Sequence, residues 1–541
     1  MPDPFLTDEH QLIRNSVKEF AERYIAPITR KMDLEDYYPR DLIRELGKQG
    51  FLTPSAPPEY GGPGIDLRGG SVVVVEELSR YSPTLGFITE IVNDNIVYAL
   101  LKYGSNKQKE EILPKIASGE WVASYALTEP CCGTDAAAIE TRAERRGGGE
   151  WVINGRKIWI TQGAYADIYL LFARTGPKEA RHRAITAFLV RRSDCVEVSK
   201  LEMMGMRGGA GEAEVKFNDC VVGDDDVLGK VNEGGFKIAM VTLDLARIGI
   251  SGVALGLSQG VLDEALEWAK TRTAFGKPLI DWEWIQFQLA DMKAKLEIGR
   301  TVTYKAAWLY DNKDPSFVLY ASIAKLYTAQ MAVEIARDGV QILGGFGYSK
   351  ESFSERAYRD AKVLEIAEGT NEAQKIVIHR ILTRGITGGR TMIPIRHPSL
   401  TKDHEKFIEL VDELSRRFIE PVADKIDREN YYPREVIREL GKNGVLSPIL
   451  PREYGGYGMD ILGTALSIEV ISRYSGSMGI LTEVQGFLVT DAFYTYGSKQ
   501  MKEELVPKLA RGELIGSFAL SEPCCGSDAA AIETRAERRG W

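Results

Sequence analysis

Hydrophobic and polar residues follow two different rhythms along the chain, and these divide it into helical and β-rich regions. In residues 1–120 apolar side chains recur three or four positions apart, which predicts an N-terminal helical domain. A short helix is predicted from Pro39 to Gly47 and an irregular loop from Pro54 to Gly64. Another helix is predicted from Gly70 to Tyr103, interrupted near Pro83 because proline cannot continue a helix.

Residues 121–232 have a different pattern, in which short runs of β-branched and aromatic residues are separated by turn residues. This pattern predicts a middle β-domain, a barrel or a sandwich. Its predicted strands cover residues 151–156, 158–161, 168–173, 185–190 and 213–217. Asn154-Gly155 favours a two-residue hairpin turn, so a tight turn is predicted there.

Long helices are predicted again in residues 233–385, where few glycines or prolines interrupt the apolar spacing. The predicted helices cover residues 234–269, 285–312, 316–343 and 371–382, which indicates a C-terminal four-helix bundle. Residues 386–399 are rich in Gly and Pro and are predicted to be a linker. The expected fold class is therefore α+β, with an all-α domain, a β-domain and a helical bundle in that order.

The remaining residues, 400–541, repeat the beginning of the chain. Tyr454-Gly-Gly lies 394 residues after Tyr60-Gly-Gly, and Glu522-Pro-Cys-Cys lies 393 residues after Glu129-Pro-Cys-Cys, so one residue has been lost between them. A period of this length is far longer than that of a solenoid repeat. It predicts a duplicated module, here a truncated repeat of the N-terminal helical domain and the start of a β-domain.

Composition narrows the classes of function. The net charge of −9 gives no reason to expect nucleic acid or an anionic membrane as partner. No uninterrupted apolar run of about 18 residues and no secretory leader pattern is found, so we expect no membrane span and a cytoplasmic location. Four of the six cysteines are vicinal pairs, which fit neither metal-ligand spacing nor a disulfide framework. We expect reduced, small, buried cysteines and no metal site.

Five short motifs stand in one order along the chain. They are Tyr125–Asp135, Trp159-Ile-Thr-Gln-Gly, Arg272-Thr-Ala-Phe-Gly, Gln341-Ile-Leu-Gly-Gly and Glu368-Gly-Thr-Asn-Glu. With the α–β–α order, these motifs resemble the acyl-CoA dehydrogenases over about residues 5–384. The resemblance implies FAD-dependent α,β-dehydrogenation of an acyl-CoA thioester, electron-transfer flavoprotein as the acceptor, and a homo-oligomer, expected to be a tetramer.

The first two motifs match the flavin cradle of that family. A reduced flavin carries negative charge near N1 and O2, so its surroundings should supply hydroxyl and backbone N–H donors. The resemblance implies cofactor contacts from Tyr125, Leu127, Thr128, Gly133, Thr134, Trp159 and Thr161. The alternative is structural: Thr128 would cap a turn, and Trp159 would belong to the core of the β-domain.

Glu368 matches the catalytic base of the family. A carboxylate that is buried against substrate and flavin has a raised pKa, which suits removal of a weakly acidic proton beside a thioester carbonyl. Gly369 would let the backbone approach the ring and the substrate closely. Thr370 and Glu372 are implied cofactor contacts. Alternatively, Glu368 is a carboxylate that the dipole of the following helix favours.

Residues in the third and fourth motifs match positions that reach the FAD of a neighbouring subunit in the family. They are Arg272, Phe275, Gln341, Gly344 and Gly345. Arginine suits a pyrophosphate because its planar guanidinium can donate two parallel hydrogen bonds.

Substrate contacts are implied for Thr134 and Gly369, and for Asp244 and Arg247 in the predicted helix 234–269. The alternative for the last two is a surface ion pair at i,i+3 spacing. Glu90 aligns with a glutamate at the pocket floor of medium-chain relatives, which suggests a medium straight acyl chain, and branched and cyclic acyl groups remain open. Its alternative is a solvated helix residue.

Two other functions remain open from the sequence. An acyl-CoA oxidase-like enzyme would pass electrons to oxygen, and a non-catalytic assembly protein derived from the family would lack flavin. For residues 400–541 there are three alternatives: packing on the first copy or on another subunit, a second dehydrogenase cut short, or an interaction module.

Overall fold

The chain forms two compact units, Met1–Arg396 and His397–Trp541, in a computed structural model that describes residues 4–232, 234–384 and 397–539. Residues 386–396 of the predicted linker lie outside the described residues.

The first unit begins with helices, as predicted. Their bounds are Asp8–Phe20, Ala21–Ile25, Thr29–Glu35, Arg40–Lys48, Arg68–Val74, Val75–Tyr81, Pro83–Glu90, Ile91–Val97, Tyr98–Tyr103 and Asn106–Ala117. The interruption near Pro83 is confirmed, because Ser82 is extended and its hydroxyl accepts a hydrogen bond from Leu85 N at 3.4 Å. Leu42, Ile43 and Leu46 show how the helical spacing buries one face of a short helix.

Besides Ala21–Ile25, two longer stretches of these helices are π-helical, with wider turns than an α-helix. The first, Arg68–Val74, leads into Val75–Tyr81 and directs Glu76 into the interior, where Arg300 Nη2 and Tyr304 Oη contact its carboxylate at 2.7 and 2.6 Å. The second, Ile91–Val97, carries three consecutive buried polar residues, Asn93-Asp94-Asn95. π-Helical turns are often found at functional sites.

The middle region is one eight-stranded sheet. Its strands are Ala123–Ala126, Arg142–Arg146, Glu150–Ile160, Ile168–Arg174, Ile185–Arg191, Val196–Lys200, Ala213–Gly223 and Val227–Leu228. Strand Ile168–Arg174 is covered on both sides. Ile168, Leu170 and Phe172 join the core shared with the helices, whereas Tyr169 and Leu171 join the core on the other face. This period of two explains why that strand is almost continuously apolar.

The predicted tight turn at Asn154-Gly155 is wrong. Strand Glu150–Ile160 runs straight through it, with a shift in register between Ile153 and Gly155. The Asn154 amide exchanges two hydrogen bonds of 2.9 Å with Asp219 on the neighbouring strand. A Cβ at position 155 would lie only 2.3 Å from Thr141 Oγ1, so the Asn-Gly pair serves a bulge with a close approach.

The expectation that all cysteines are reduced and buried is also corrected. Cys195 and Cys220 form a disulfide, and Cys131 and Cys524 are exposed. Antiparallel pairing of Val196–Lys200 with Ala213–Gly223 brings the first two residues together, with their Cα atoms 5.2 Å apart. Their spacing of 25 residues does not reveal this strand register.

The helices that follow the sheet surround one long helix, Gly234–Thr271, called here the central helix. The others are Glu283–Asp311, Phe317–Leu343, Phe353–Leu364 and Asn371–Arg384, of which Phe353–Leu364 was not predicted. By length and composition the central helix could cross a membrane. Its most apolar window is 78% buried within the protein, so its hydrophobicity serves the core of this unit.

The second unit contains counterparts of the N-terminal helices of the first unit. Its helices are Lys402–Leu414, Ser415–Ile419, Ala423–Glu429, Arg434–Lys442, Ile461–Tyr474, Gly476–Thr482, Glu483–Thr490, Asp491–Tyr496, Lys499–Glu504 and Val506–Ala510. One local contact occurs in both units. His404 Nε2 lies 2.8 Å from Asp460 Oδ1 in the second unit, and His10 Nε2 lies 2.9 Å from Asp66 Oδ1 in the first. Ile461–Tyr474 has no π-helical part.

The predicted start of a β-domain in the second unit forms no strand within residues 397–539. In the first unit, strand Ala123–Ala126 pairs with Ile168–Arg174. The matching segment of the second unit has no such neighbour, and the side chain of Phe518, which corresponds to Tyr125, is exposed. A strand needs a partner for its backbone groups, so this segment remains extended.

Candidate active site

Glu368 lies in a tight turn between helices Phe353–Leu364 and Asn371–Arg384. Its backbone has a φ of 59°, and Gly369 follows at 90°. A glutamate in the left-handed region is uncommon and needs support from its surroundings. Buried Gln374 supplies it, since Nε2 donates to the Gly369 carbonyl at 2.8 Å, while Thr370 Oγ1 accepts from Ala373 N at 3.2 Å. The turn therefore fixes the direction of the Glu368 side chain.

The Glu368 carboxyl group is buried among a few polar side chains. Asn95 Nδ2 donates to Oε1 at 3.1 Å, whereas Oε2 has no hydrogen-bond partner among the described residues. Burial, with a smaller contribution from the charge of Asp94, raises the pKa of Glu368 to about 7, against the Asn95 hydrogen bond and the charges of Arg247 and Lys325. The group can therefore accept a proton near neutral pH.

Arg247 and Asp244 both lie on the central helix, and their side chains pair at 2.7 Å. The alternative of a surface ion pair is wrong for Arg247, because it is 8% exposed and its charge acts on Glu368. Lys325 is also buried near Glu368 and donates to Asn371 Oδ1 at 3.1 Å. The charges of Arg247 and Lys325 thus stabilise the ionised form of Glu368.

Glu90 is fully buried, so the alternative of a solvated helix residue is wrong. It lies one helical turn before Asp94, and both side chains pack against Gly249 of the central helix. Glu368 and Asp94 both raise the pKa of Glu90, in addition to its burial. Three carboxyl groups therefore share one interior region.

The predicted cradle residues come together along the edge of strand Glu150–Ile160. Ile158 N donates to the Thr128 carbonyl at 3.0 Å, and Ser124 Oγ donates to the Thr161 carbonyl at 2.7 Å. Tyr125 Oη lies 3.1 Å from Thr242 Oγ1, and Leu127 is buried. These bonds fix the backbones of Thr128 and Thr161 beside the strand, with Gly133 and Thr134 in an exposed loop beyond it.

Trp159 is 55% exposed and has a φ of 59°. It therefore does not belong to the core of the sheet. A large apolar ring held outward by an unusual backbone is suited to cover a planar ligand. An exposed ring in this position, beside the fixed backbones of Thr128 and Thr161, fits an isoalloxazine ring.

The motifs assigned to a neighbouring subunit form an exposed aromatic cluster. The Arg272 guanidinium lies 6.0 Å from the ring centre of Trp268, which stacks on Phe346 at 4.8 Å. This places the Arg272 motif beside the loop that follows Gln341 and contains Gly344 and Gly345. Phe275 is 95% exposed, as expected of a side chain that makes its contacts with another molecule.

Sequence reasoning missed a buried ion pair beneath the cradle. Lys157 Nζ donates to Glu129 Oε1 at 2.7 Å and to the Leu127 carbonyl at 2.8 Å. Glu129 also accepts backbone N–H groups, including that of Thr141 at 3.0 Å. A lysine inside an alternating strand is usually exposed, so the pattern gave no indication of this contact.

Asn95 could have been noticed as part of a polar triplet inside an apolar helix.

Family models match nearly the whole of the first unit and most of the second. The "Acyl-CoA dehydrogenase, N-terminal domain" matches residues 7–120 and again 401–513. The "Acyl-CoA dehydrogenase, middle domain" matches residues 124–220, and the "Acyl-CoA dehydrogenase, C-terminal domain" matches residues 233–383.

Individual relatives agree with these matches. The chain is 40% identical to human "Short-chain specific acyl-CoA dehydrogenase, mitochondrial" over 381 residues, which are 70% of this chain and 91% of the human protein. The structure of butyryl-CoA dehydrogenase from Megasphaera elsdenii is similar, with a TM-score of 0.67 and 36% identity over 70% of this chain and 99% of that one. A glutaryl-CoA dehydrogenase from Mycobacterium smegmatis in complex with FADH2 has a TM-score of 0.66 and 26% identity, over 71% and 96% of the two chains.

Proposed function

Because the chain belongs to the acyl-CoA dehydrogenase family, we propose that it converts a short acyl-CoA to a trans-2-enoyl-CoA with FAD as cofactor and Glu368 as base. The single observation that carries this proposal is the buried Glu368 carboxyl group, which has one unpartnered oxygen and a pKa near 7. A base of this kind can remove a proton next to a thioester carbonyl.

The residues divide the work as follows. Glu368 Oε2, which is free to accept, takes the proton from Cα, while Asn95 keeps Oε1 in place. The Gln374 amide holds the turn, so the carboxylate cannot swing away. Bound FAD supplies a hydride acceptor for Cβ at its N5. Arg247 and Lys325 offset the negative charge of the free base between turnovers.

FAD would be held mainly by the cradle. Thr128 and Thr161 provide hydroxyl donors, and Trp159 covers the ring. Arg272, Phe275 and Gln341 of another subunit would hold the distal part of the cofactor, which makes a homo-oligomer, in line with the family's tetramers, part of this proposal.

A short acyl chain is favoured over the medium chain that Glu90 alone suggested. Glu90 and Asp94 carry buried carboxyl oxygens that have no donor among the described residues, and a long apolar chain packed against them would also keep water from reaching them. The printed names of the human and Megasphaera relatives, short-chain and butyryl-CoA, point the same way.

The test is anaerobic mixing of the purified holoprotein with acyl-CoA esters of increasing length, followed by absorbance of the flavin near 450 nm. We expect butyryl-CoA to bleach the flavin fully and decanoyl-CoA to bleach it at least about tenfold more slowly. Bleaching by decanoyl-CoA at an equal rate would contradict the short-chain assignment. A protein that cannot be loaded with FAD would favour the non-catalytic alternative.

The acceptor that reoxidises the reduced flavin distinguishes a dehydrogenase from an oxidase. With the proposed acceptor, electron-transfer flavoprotein, steady-state turnover should exceed turnover with air alone by a factor of about a hundred. Equal rates would support the oxidase-like alternative.

The rate of flavin reduction should depend on pH in a defined direction. Only ionised Glu368 accepts a proton, so the single-turnover rate should rise with pH and level off above its pKa near 7. In Asn95→Leu the hydrogen bond that favours the ionised form is lost, so the midpoint should move upward by about one pH unit. A midpoint that stays in place would show that Asn95 does not act on the base.

A further inference from the structure

Beside Glu368 lies a set of buried acceptor atoms that the proposed reaction does not use. Among the described residues, both carboxylate oxygens of Glu90 lack a hydrogen-bond partner, as do Asp94 Oδ2 and Asn95 Oδ1. Glu90 and Asp94 are at most 1% exposed. Unpartnered buried carboxylates are costly, so an arrangement of several needs a reason.

The two carboxyl groups are held side by side. A Cβ at Gly249 of the central helix would lie 2.2 Å from Asp94 Oδ2 and 2.5 Å from Glu90 Cγ. Only glycine leaves room for both side chains at this crossing. On the other side of Asp94, Ser71 Oγ and Asn93 Nδ2 donate to Oδ1, the latter at 2.7 Å, so Oδ2 is the oxygen left free beside Glu90.

Asp94 also lines a cavity of about 430 Å³. Its walls include Asp66, Tyr98, Tyr310 and Asp311, with Lys102 at one side. Neither Glu368 nor Glu90 lines it. Asp94 therefore belongs both to the carboxyl cluster beside the base and to the wall of a cavity that Asp66 and Asp311 also line.

We propose that Glu90 and Asp94 relay the proton that Glu368 removes from the substrate into this cavity. The inference rests on the proposed function. Glu90 is protonated at neutral pH, so it takes the proton of Glu368 on one oxygen while it gives its own proton from the other oxygen to the Asp94 carboxylate, and Asp94 then gives a proton to water in the cavity. Each transfer breaks one O–H bond and forms another, and Glu368 is again an ionised base.

The reason for such a route is the closed active site. While a thioester lies over Glu368, the cleft by which the substrate enters is filled, and a buried base has no water beside it. A second route lets the proton leave before the product does. Burial raises the pKa of both Asp94 and Glu368 to about 7, so neither end of the route holds the proton much more tightly than the other. The pKa of Glu90 between them is raised well above its usual value by burial and by Glu368 and Asp94, which keeps Glu90 neutral while it passes a proton on.

Groups on every neighbouring element act on this path. Arg247 of the central helix and Lys325 of helix Phe317–Leu343 favour the ionised form of Glu368. Around the cavity, Asp311 carries a pKa raised by burial and by Asp66 to about 6, so it can receive a proton from cavity water near neutral pH.

The experiment follows exchange at Cα while ligand is bound. A 3-thiaacyl-CoA deuterated at Cα has acidic protons there and no hydride to lose from position 3. The thioester cannot leave the protein as its Cα anion, so loss of deuterium to water requires that the proton leave Glu368 beneath bound ligand. Mass spectrometry of the ligand measures this exchange with the holoprotein.

We expect Glu90→Gln and Asp94→Asn each to slow exchange at least about tenfold more than they slow single-turnover flavin reduction by butyryl-CoA. Glu483→Gln is the matched control, because Glu483 occupies the position of Glu90 in the second unit, and it should leave exchange unchanged.

Unchanged exchange in both variants would overturn the relay and leave the proposed function standing. An equal loss of exchange and of flavin reduction would also overturn it, because the carboxyl groups would then only support Glu368. Failure of the proposed function is distinguishable, since the wild-type protein would then show neither bleaching nor exchange. Flavin content of each variant establishes that it is folded, and the two substitutions test the route separately.

Discussion

Glu368→Gln should lower the rate of flavin reduction by butyryl-CoA at least about a thousandfold. Glutamine has the same shape and can still accept the Asn95 hydrogen bond through its amide oxygen, but it cannot take a proton at neutral pH. The variant should therefore bind flavin and acyl-CoA and leave the flavin yellow. Stopped-flow absorbance under anaerobic conditions measures the difference directly.

Glu365→Gln provides the control for that experiment. Glu365 lies three residues earlier in the same chain segment, where its carboxylate pairs with Lys362. In the Glu365→Gln variant, butyryl-CoA should reduce the flavin at a rate close to that in the wild-type protein. If Glu368→Gln kept more than about a tenth of the wild-type rate, another carboxylate would be the base, and Glu90 and Asp94 would be the first to examine.

Lys157→Met should destabilise the cradle by about 3–5 kcal/mol, the usual cost of removing one partner of a buried ion pair. Lys157 is fully buried, and methionine replaces its length but not its two hydrogen bonds, to Glu129 and to the Leu127 carbonyl. The Glu129 carboxylate would remain buried with two backbone N–H donors and the Cys131 thiol only. We expect lower thermal stability and weaker retention of FAD, measured by melting and by flavin content after gel filtration.

The double variant Lys157→Met with Glu129→Gln separates charge from shape. Glutamine removes the unpaired charge and can still accept one backbone N–H, so the double variant should recover much of the stability lost in Lys157→Met. A double variant as unstable as the sum of the single changes would show that the pair is not coupled.

The fold could be predicted from the sequence wherever the hydrophobic spacing is regular. The central helix and strand Ile168–Arg174 are examples, because each repeats its period over enough residues to bury a whole surface. Asn154-Gly155 misled the prediction because a favoured turn dipeptide also suits a bulge. The choice between the two depends on Asp219 and Thr141, which are distant in sequence.

The candidate site was predictable only through its motifs. Glu368, Trp159 and Arg272 were identified from motifs that stand in a family order, whereas Asn95 and Lys157 belong to none of them. Their roles depend on which buried oxygen each side chain meets, and no local pattern encodes such a pairing across helices or strands.

The two copies of the helical module differ in length by one residue. The first copy is the longer one, and it accommodates the extra residue in the π-helical stretch Arg68–Val74. On either side the anchors agree: Gly69 N donates to Asp66 and Gly463 N to Asp460, at 2.8 and 2.9 Å. An added residue would turn everything after it by about 100° in a regular α-helix. A widened turn absorbs that rotation, so in evolutionary terms this segment is a place where the lineage could change its length without rotating the helices that follow.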